Sequence, residues 1–198
     1  MRDLRETALA VKAASAELGL WGTEKRNEAL AAIAEALLAR KAEILSANEQ
    51  DLADGRANGM SESLLDRLAL TGARIEGMAE GVRQLIALPD PVGETVEEFT
   101  RPNGLHIRKV RVPLGVVGMI YEARPNVTVD TAAIALKTGN GILLRGSASA
   151  LRSNLALAEV MRAALKEVGV PENALAVVED TAHESVDAML RMNDCVDV

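Results

Sequence analysis

The chain has 198 residues, 48% of them hydrophobic, and a formal net charge of −7. This length suffices for one sizeable hydrophobic core, the acidic balance argues against general nucleic-acid binding, and no apolar run approaches the roughly 18 residues of a membrane span. The single cysteine excludes an internal disulfide, and an N-terminus without an apolar signal core favours the cytoplasm.

Basic charge is concentrated in one part of the chain. Between Arg101 and Arg152, eight lysine or arginine residues stand against two acidic residues. A fixed patch of positive charge in an otherwise acidic protein favours an anionic small ligand. A solvated basic hairpin would explain the same pattern, and composition alone leaves both interpretations open.

Helices are predicted over most of residues 1–93, which carry no candidate chemistry. Apolar residues at steps of three and four predict a first amphipathic helix over Leu4–Leu18. Thr23 is a candidate cap for a second helix that runs to Ile44, and Thr71 is a candidate start for a further helix.

Residues 94–112 change to an extended pattern. Asn103-Gly104 between two extended runs predicts a tight hairpin turn, in which both central positions need positive φ. The apolar residues of the second arm change face near Arg108-Lys109, which predicts a bulge or a change of packing partner there. Because apolar residues occupy both faces, we expect the hairpin to project against another domain or subunit.

From residue 113 onward, short apolar runs alternate with helical patterns. Strands are predicted at 115–120, 142–144 and 175–178, with helices at 127–138, from Ser147 or Ser149 to 168, and at 184–192, before a strand that barely begins at Cys195–Val198. This β-α-β-α-β-α-β order predicts an α/β fold with a doubly wound, Rossmann-like parallel sheet. Because the fourth strand breaks off, we expect the chain to be a fragment or a truncated product.

The segment Arg111–Asp130 closely resembles the signature of gamma-glutamyl phosphate reductases, and Tyr121–Asn126 (YEARPN) is its most family-specific part. Further segments resemble the same family in register: Ser61–Leu70, Leu136–Asn140, Leu144–Gly146 and Met189–Met192. The resemblance therefore covers essentially the whole chain. A strand followed by a glycine pattern alone would be much less specific.

The resemblance implies the fold of the aldehyde dehydrogenase superfamily, with a cofactor domain, a catalytic domain and an oligomerisation hairpin. On this basis, residues 1–93 form the N-terminal helical part of the cofactor domain and residues 94–112 form the oligomerisation or bridging hairpin. Residues 113–198 would form the first half of the NADPH-binding α/β domain. The catalytic domain and its nucleophilic cysteine are expected in a later segment that this chain lacks.

The resemblance also implies a reaction, the NADPH-dependent reduction of L-glutamate 5-phosphate to L-glutamate 5-semialdehyde and phosphate, which is the second step of proline synthesis from glutamate. It implies a homo-oligomer formed through residues 94–112 and a functional link to glutamate 5-kinase. Independently of the resemblance, the acidic charge and the lack of a long apolar run predict neither nucleic acid nor membrane as a partner. The chain alone is expected to lack turnover. Two alternatives stay open: a non-catalytic nucleotide-binding or assembly module, and another oxidoreductase of the superfamily.

Reduction of an acyl phosphate needs a thiolate, an oxyanion donor, cations for the phosphate and a source of hydride. Cys195 is rejected as the thiolate, because no helix N-terminus or clear cation is placed to lower its pKa. By residue type Asn126 favours a helix cap, whereas the resemblance implies that it donates to the oxyanion. Arg124 suits an acyl phosphate or a substrate carboxylate, and an ion pair with Glu122 or Asp130 is an equal alternative.

Arg145, Gly146 and Ser147 follow the second predicted strand, at the end where open α/β sheets bind ligands. Superfamily relatives place a lysine at the Arg145 position near the adenosine ribose, and an arginine there fits a 2′-phosphate, which favours NADPH over NADH. Gly146 permits close approach, and Ser147 can donate to a ribose or a phosphate. Ile120 and Tyr121, at the end of the first strand, complete the expected cofactor site. An ordinary surface turn is the alternative for this arginine.

Two common signatures are absent from the sequence. Gly139 and Gly141 lie between a helix and a strand, the wrong context for the Gly-x-Gly-x-x-Gly dinucleotide fingerprint, and the resemblance implies a superfamily that binds its cofactor without it. The only histidines, His106 and His183, are far apart in the chain, so no metal site is predicted and both are expected at the surface.

Overall fold

The computed structural model describes residues 3–198, which form eight α-helices and five β-strands. In chain order the elements are α1 (Leu4–Leu18), α2 (Thr23–Ala39), α3 (Lys41–Ala57), α4 (Glu62–Leu68), α5 (Gly72–Ala87), β1 (Thr95–Thr100), β2 (His106–Val110), β3 (Val116–Ile120), α6 (Asn126–Lys137), β4 (Gly141–Arg145), α7 (Leu151–Glu167), β5 (Leu175–Val177) and α8 (His183–Leu190). Among the described residues, no helix has both the length and the apolar content needed to cross a bilayer.

The larger of two sheets is parallel. β4 pairs with β3 on one side and with β5 on the other, so the strand order is β5-β4-β3. The end of the chain adds to the free edge of β3: the N–H of Asp197 donates to the Val116 carbonyl (2.9 Å), and the N–H of Gly118 donates to the Val198 carbonyl (2.7 Å). Strand addition therefore reverses direction at β3, as in doubly wound folds. The predicted α/β fold is confirmed.

Helices cover both faces of this sheet. Along β4, Ile142 and Leu144 belong to the larger hydrophobic cluster, whereas Leu143 belongs to a smaller one, because alternate side chains of a strand face opposite sides. α6 and α7 pack on the first face with α2 behind them, and α1 packs on the second face together with Met189 of α8. Every residue of β4 is buried, so this strand is the centre of the fold.

The predicted helix from Thr23 to Ile44 is two helices in the structure. Arg40 leaves the helical conformation, with φ −102° and ψ 21°, and separates α2 from α3. Both helices pack against α7, but α2 packs mainly against α5, whereas α3, after the break, also packs against α4. Thr23 is not the cap: Gly22 occupies that position, and the Thr23 hydroxyl donates to the carboxylate of Asp90 instead.

Two other predicted boundaries have opposite outcomes. The helix start at Thr71 is confirmed, because its hydroxyl accepts a hydrogen bond from the N–H of Arg74 (3.1 Å). The predicted fourth strand is shorter than expected. Only residues 197–198 pair with β3, and Cys195 lies in the preceding turn rather than in a strand.

β1 and β2 form the predicted antiparallel hairpin, and every residue of β1 is exposed. The turn differs from the prediction: Gly104 has a positive φ (+82°) but Asn103 does not. The reason is that Arg101 and Leu105 close a loop longer than two residues through their backbone hydrogen bond. A bulge is present, but it lies at Val96 in the first arm, whereas the sequence predicts it in the second.

A buried ion pair joins the start of α2 to the segment that follows α5. The guanidinium of Arg26 donates to the carboxylate of Asp90, and these side chains are only 3% and 10% exposed. Burial raises the pKa of Asp90, but hydrogen bonds from Thr23, the Val92 amide and Arg26 outweigh it, so the net shift is downward. Lys137 of α6 is also buried, and its Nζ donates to oxygens of α2 and α5. Four segments of the chain therefore meet in this region.

Replacing Asp90 with asparagine should lower the free energy of unfolding at pH 7 by about 3 kcal/mol, because Arg26 is left buried without its counter-charge. Since the pKa of Asp90 is lowered, its contribution is complete above the ordinary value of 3.8 and is lost as the pH falls through the folded-state value. Urea unfolding at pH 7 and pH 3 measures both effects, and the difference between wild type and variant should shrink at pH 3.

The exposed pair of Glu94 and Arg111 provides the control. Glu94→Gln removes one partner of an ion pair in solvent, so it should change stability by less than about 1 kcal/mol at either pH. Equal stability of wild type and Asp90→Asn at pH 7 would show that the buried pair does not hold these segments together.

Candidate functional site

The carboxyl ends of β3 and β4 lie side by side. Ile120 and Arg145 are partners in the parallel register, and the N–H of Tyr121 extends the pairing by donating to the Arg145 carbonyl (3.1 Å). The predicted site residues follow these adjacent strands at one edge of the sheet: Arg124 and Asn126 after β3, and Gly146 and Ser147 after β4.

Asn126 is the first residue of α6 rather than its cap, because Pro125 occupies the cap position. Its side chain is exposed, and its Nδ2 donates to Oδ2 of Asp130 one turn further along (3.1 Å). Partial burial raises the pKa of Asp130, and the hydrogen bond from Asn126 opposes that rise. The amide therefore stands at the positive end of the α6 dipole with one of its two N–H groups engaged.

Arg124 is exposed, and it forms no ion pair with Glu122 or Asp130 in the described part of the chain. It lines a groove of about 450 Å³ together with Asn126 and Asp130. The predicted alternative of an internal ion pair is therefore not realised. This guanidinium is free to meet a ligand in the groove.

The opposite wall of the groove is the connection between α4 and α5, which sequence reasoning left without a role. Its lining residues come from 66–70 and from the first two turns of α5. Residues 66–70 belong to the segment Ser61–Leu70, which resembles the reductase family although its helical pattern indicates only core packing. That resemblance was the one signal in the sequence that could have marked this wall.

Tyr121 is turned inward. Its hydroxyl donates to Oγ1 of Thr128 (2.7 Å), which in turn donates to Oδ1 of Asn154 (3.1 Å). Burial raises the pKa of Tyr121 to about 12, so the phenol is neutral. These hydrogen bonds attach the loop after β3 to α7. Tyr121 therefore holds in place the loop that carries the predicted site residues Arg124 and Asn126.

Arg145 is 9% exposed, and its guanidinium makes hydrogen bonds only to carbonyl groups. Nη2 donates to Thr181 (2.6 Å) and Ala182 (3.2 Å), Nη1 donates to Gly146 (3.2 Å), and Nε is buried without a partner. No carboxylate in residues 3–198 pairs with it. Buried charges are ordinarily paired, so a cation surrounded by neutral groups suits an anionic ligand at this edge.

Ser147 caps the 3-10 turn before α7, because its hydroxyl accepts a hydrogen bond from the N–H of Ser149. Gly146, just before it, is required for packing. A Cβ placed there would lie 2.2 Å from Nδ2 of Asn154 and 3.1 Å from the Tyr121 ring. Two side chains, the buried Asn154 and the partly buried Tyr121, therefore approach Gly146 closely, and the close approach of a ligand stays a prediction.

Gly146→Ala should lower the free energy of unfolding by about 1–3 kcal/mol, because the methyl group displaces Asn154 and strains the packing between β4 and α7. Gly81 is the matched control, since it lies inside α5 with no atom within 4 Å of an added Cβ. Gly81→Ala should stabilise by about 0.5–1 kcal/mol. Thermal and urea unfolding measure both changes, and equal effects of the two substitutions would contradict the packing role.

Cys195 is fully buried in the smaller hydrophobic cluster. Burial raises the pKa of its thiol, and the neighbouring Asp194 raises it further. An enclosed thiol with a raised pKa is a poor nucleophile.

His106 and His183 are exposed, as predicted, and the described residues contain no cluster of side chains suited to a metal ion.

The comparison with protein families agrees with this architecture. The model of the aldehyde dehydrogenase family matches residues 2–198. A doubly wound sheet with polar and charged residues after the carboxyl ends of its strands is an architecture common among nucleotide-binding α/β proteins, and the chain belongs to the aldehyde dehydrogenase family.

Individual relatives within this family carry a more specific protein name. The chain is 54% identical over 198 residues to gamma-glutamyl phosphate reductase of Anoxybacillus flavithermus, covering 100% of this chain and 48% of the relative. The solved structure of gamma-glutamyl phosphate reductase from Thermotoga maritima matches with a TM-score of 0.97 and 45% identity, over 98% of this chain and 47% of that one. The Saccharomyces cerevisiae protein of the same name matches with a TM-score of 0.89 and 28% identity, over 99% of this chain and 50% of that one. The chain spans about half the length of the relatives it matches.

Proposed function

We propose that the complete gene product reduces L-glutamate 5-phosphate to L-glutamate 5-semialdehyde and phosphate with NADPH, in the synthesis of proline. The observation that carries the proposal is the juxtaposition of Arg124 and Asn126 with Arg145 at the ends of two adjacent strands. An amide donor and an unpaired cation on one loop, beside a buried cation on the next, fit an acyl phosphate and an anionic cofactor. The proteins named gamma-glutamyl phosphate reductase that resemble this chain support the choice of substrate.

Arg145 and Ser147 are the residues proposed to hold the cofactor. A phosphate of NADPH would supply the negative charge that Arg145 lacks in its surroundings of carbonyl groups, and the Ser147 hydroxyl can donate to a ribose or phosphate oxygen. Ile120, which is 41% exposed at the end of β3, offers an apolar contact. When bound, NADPH would supply the hydride that reduces the acyl group. Tyr121 and Gly146 keep the two loops in place.

Asn126 and Arg124 are proposed to serve the acyl phosphate itself. The free N–H of the Asn126 amide donates to the oxyanion that forms when a thiolate attacks the acyl carbon, and Arg124 holds the departing phosphate. We assign the thiolate to a residue outside this chain, because Cys195 is enclosed and its pKa is raised. On this proposal the chain by itself binds ligand without turnover.

The hairpin is proposed as an interface between copies of the complete protein. The hairpin exposes apolar side chains, including Val96 and Phe99 of β1 at 50% and 40% and Leu105, just before β2, at 57%. Burial of such a surface is favourable and would cover a free sheet edge. The same proposal includes a cytoplasmic location and a functional link to glutamate 5-kinase, the enzyme that supplies the unstable acyl phosphate.

The reverse reaction tests the proposal. The complete gene product, given L-glutamate 5-semialdehyde, phosphate and NADP, should produce NADPH at a rate that depends on phosphate, and NAD should be a poorer acceptor. Asn126→Ala should lower kcat by about 100-fold, because one preorganised donor to the oxyanion is lost. The initial rate of increase in NADPH absorbance measures these activities.

Cys195→Ala is the control, since it removes a buried thiol that takes no part in the reaction, and it should keep kcat within about threefold of wild type. Loss of activity in Cys195→Ala, in a variant that remains folded, would contradict the assignment of the nucleophile. Absence of phosphate-dependent NADP reduction by the complete wild type would reject the proposed function.

A further inference from the structure

The groove beside Asn126 has two walls of different origin. One wall is the start of α6, with Arg124, Asn126 and Asp130, and the other comes from residues 66–70 and the start of α5. If the acyl end of the substrate lies at Asn126, as proposed above, the rest of the substrate must extend along the groove toward the second wall. The chemistry of that wall therefore bears on which acyl phosphates are accepted.

The groove contains charges that the protein itself does not neutralise. Arg67, in the last turn of α4, is exposed and, like Arg124, forms no ion pair within residues 3–198. The carboxylate of Asp130 accepts a hydrogen bond only from Asn126. By contrast, Arg74 and Asp66 pair with each other (2.9 Å). Two cations and one carboxylate are thus left for a ligand.

The backbone of the wall that carries Arg67 is held by hydrogen bonds from the buried Asn48 and the exposed Arg74. Asn48 is 1% exposed, its Nδ2 donates to the Leu68 carbonyl (2.9 Å), and its Oδ1 accepts from the Leu70 N–H (2.7 Å). Arg74 donates to the Ala69 carbonyl (2.6 Å) from the other side. A segment fixed at both of its backbone edges presents its side chains in one geometry, which is what specific recognition requires.

We propose that this groove recognises the amino-acid end of the substrate, with Arg67 binding the α-carboxylate and Asp130 binding the α-ammonium group. L-Glutamate 5-phosphate carries two anionic groups and one cationic group, which matches the two free guanidinium groups and the one free carboxylate. The carboxylate of Asp130 lies 3.1 Å from the amide of Asn126, so a single substrate whose acyl carbon and α-nitrogen are separated by three carbons can reach both groups. The assignment rests on the proposed function and adds two specificity residues to it.

The complete gene product and its Arg67→Gln variant test this inference in the reverse assay. For L-glutamate 5-semialdehyde, the variant should show a KM raised about tenfold or more with kcat within about threefold of wild type, because a charged contact remote from the reacting atoms is lost. For 4-aminobutanal, which lacks the α-carboxylate, wild type and variant should have the same KM. Arg56→Gln is the matched control, since Arg56 also lies exposed in the last turn of its helix but outside the groove.

Asp130→Asn separates the second contact from the first. It should raise the KM for L-glutamate 5-semialdehyde but not that for 5-oxopentanoate, which keeps the carboxylate and lacks the amino group. If Arg67→Gln changes the KM for both aldehydes alike, or leaves both unchanged while the wild type turns over, the recognition of the carboxylate is wrong and the proposed function stands.

Binding to the chain itself distinguishes failure of this inference from failure of the reaction. If the complete wild type has no turnover, the proposed function fails, and NMR titration of this chain with L-glutamate decides the inference separately. Shifts of resonances from the groove that are present in wild type and Arg56→Gln and absent in Arg67→Gln support it. Equal shifts in all three proteins, or none in wild type, overturn it.

Discussion

The parallel pairing of β3 with β4 is the constraint on which the rest of this structure depends. Because Ile120 is the register partner of Arg145, both strands end at the same level, and the loops that follow them must emerge side by side. The α6 and α7 helices then start from this common edge on one face of the sheet. A slip of the register would separate Asn126 from Arg145 and would also reverse which side chains of β4 face each hydrophobic cluster.

Several buried polar side chains hold the carboxyl edge of β3 and β4 in one geometry. The hydrogen bonds from Tyr121 to Thr128 and on to Asn154 fix the loop after β3, and Asn48 fixes the wall of the groove. Arg145 differs from these groups because its charge is buried among carbonyl oxygens alone. A hydrogen-bonded network of neutral groups stabilises the fold, whereas a buried cation without an anion leaves electrostatic free energy for a ligand to supply.

The sequence predicted the fold better than it predicted the contacts of the site. The strands could be recognised because apolar runs such as 142–144 are buried on both faces, and the reductase-like motif could be recognised from the consecutive residues of Tyr121–Asn126. The break at Arg40 could not be predicted, because it depends on tertiary packing: both helices contact α7, but α2 also packs against α5 and α6 whereas α3 packs against α4. The partners of Gly146 could not be predicted either, since they come from α7 and from the previous loop, and residues 66–70 of the groove wall lie more than fifty residues from Asn126 in the chain.

We propose that the carboxyl edge of β3 and β4 binds the cofactor and the acyl phosphate together. A crystal structure of the complete gene product with NADP and phosphate tests it most directly. We expect a cofactor phosphate within hydrogen-bond distance of Arg145 or Ser147, with the nicotinamide on the side of the edge that carries Asn126. A cofactor bound at another edge of the sheet, with the surroundings of Arg145 unchanged, would contradict it.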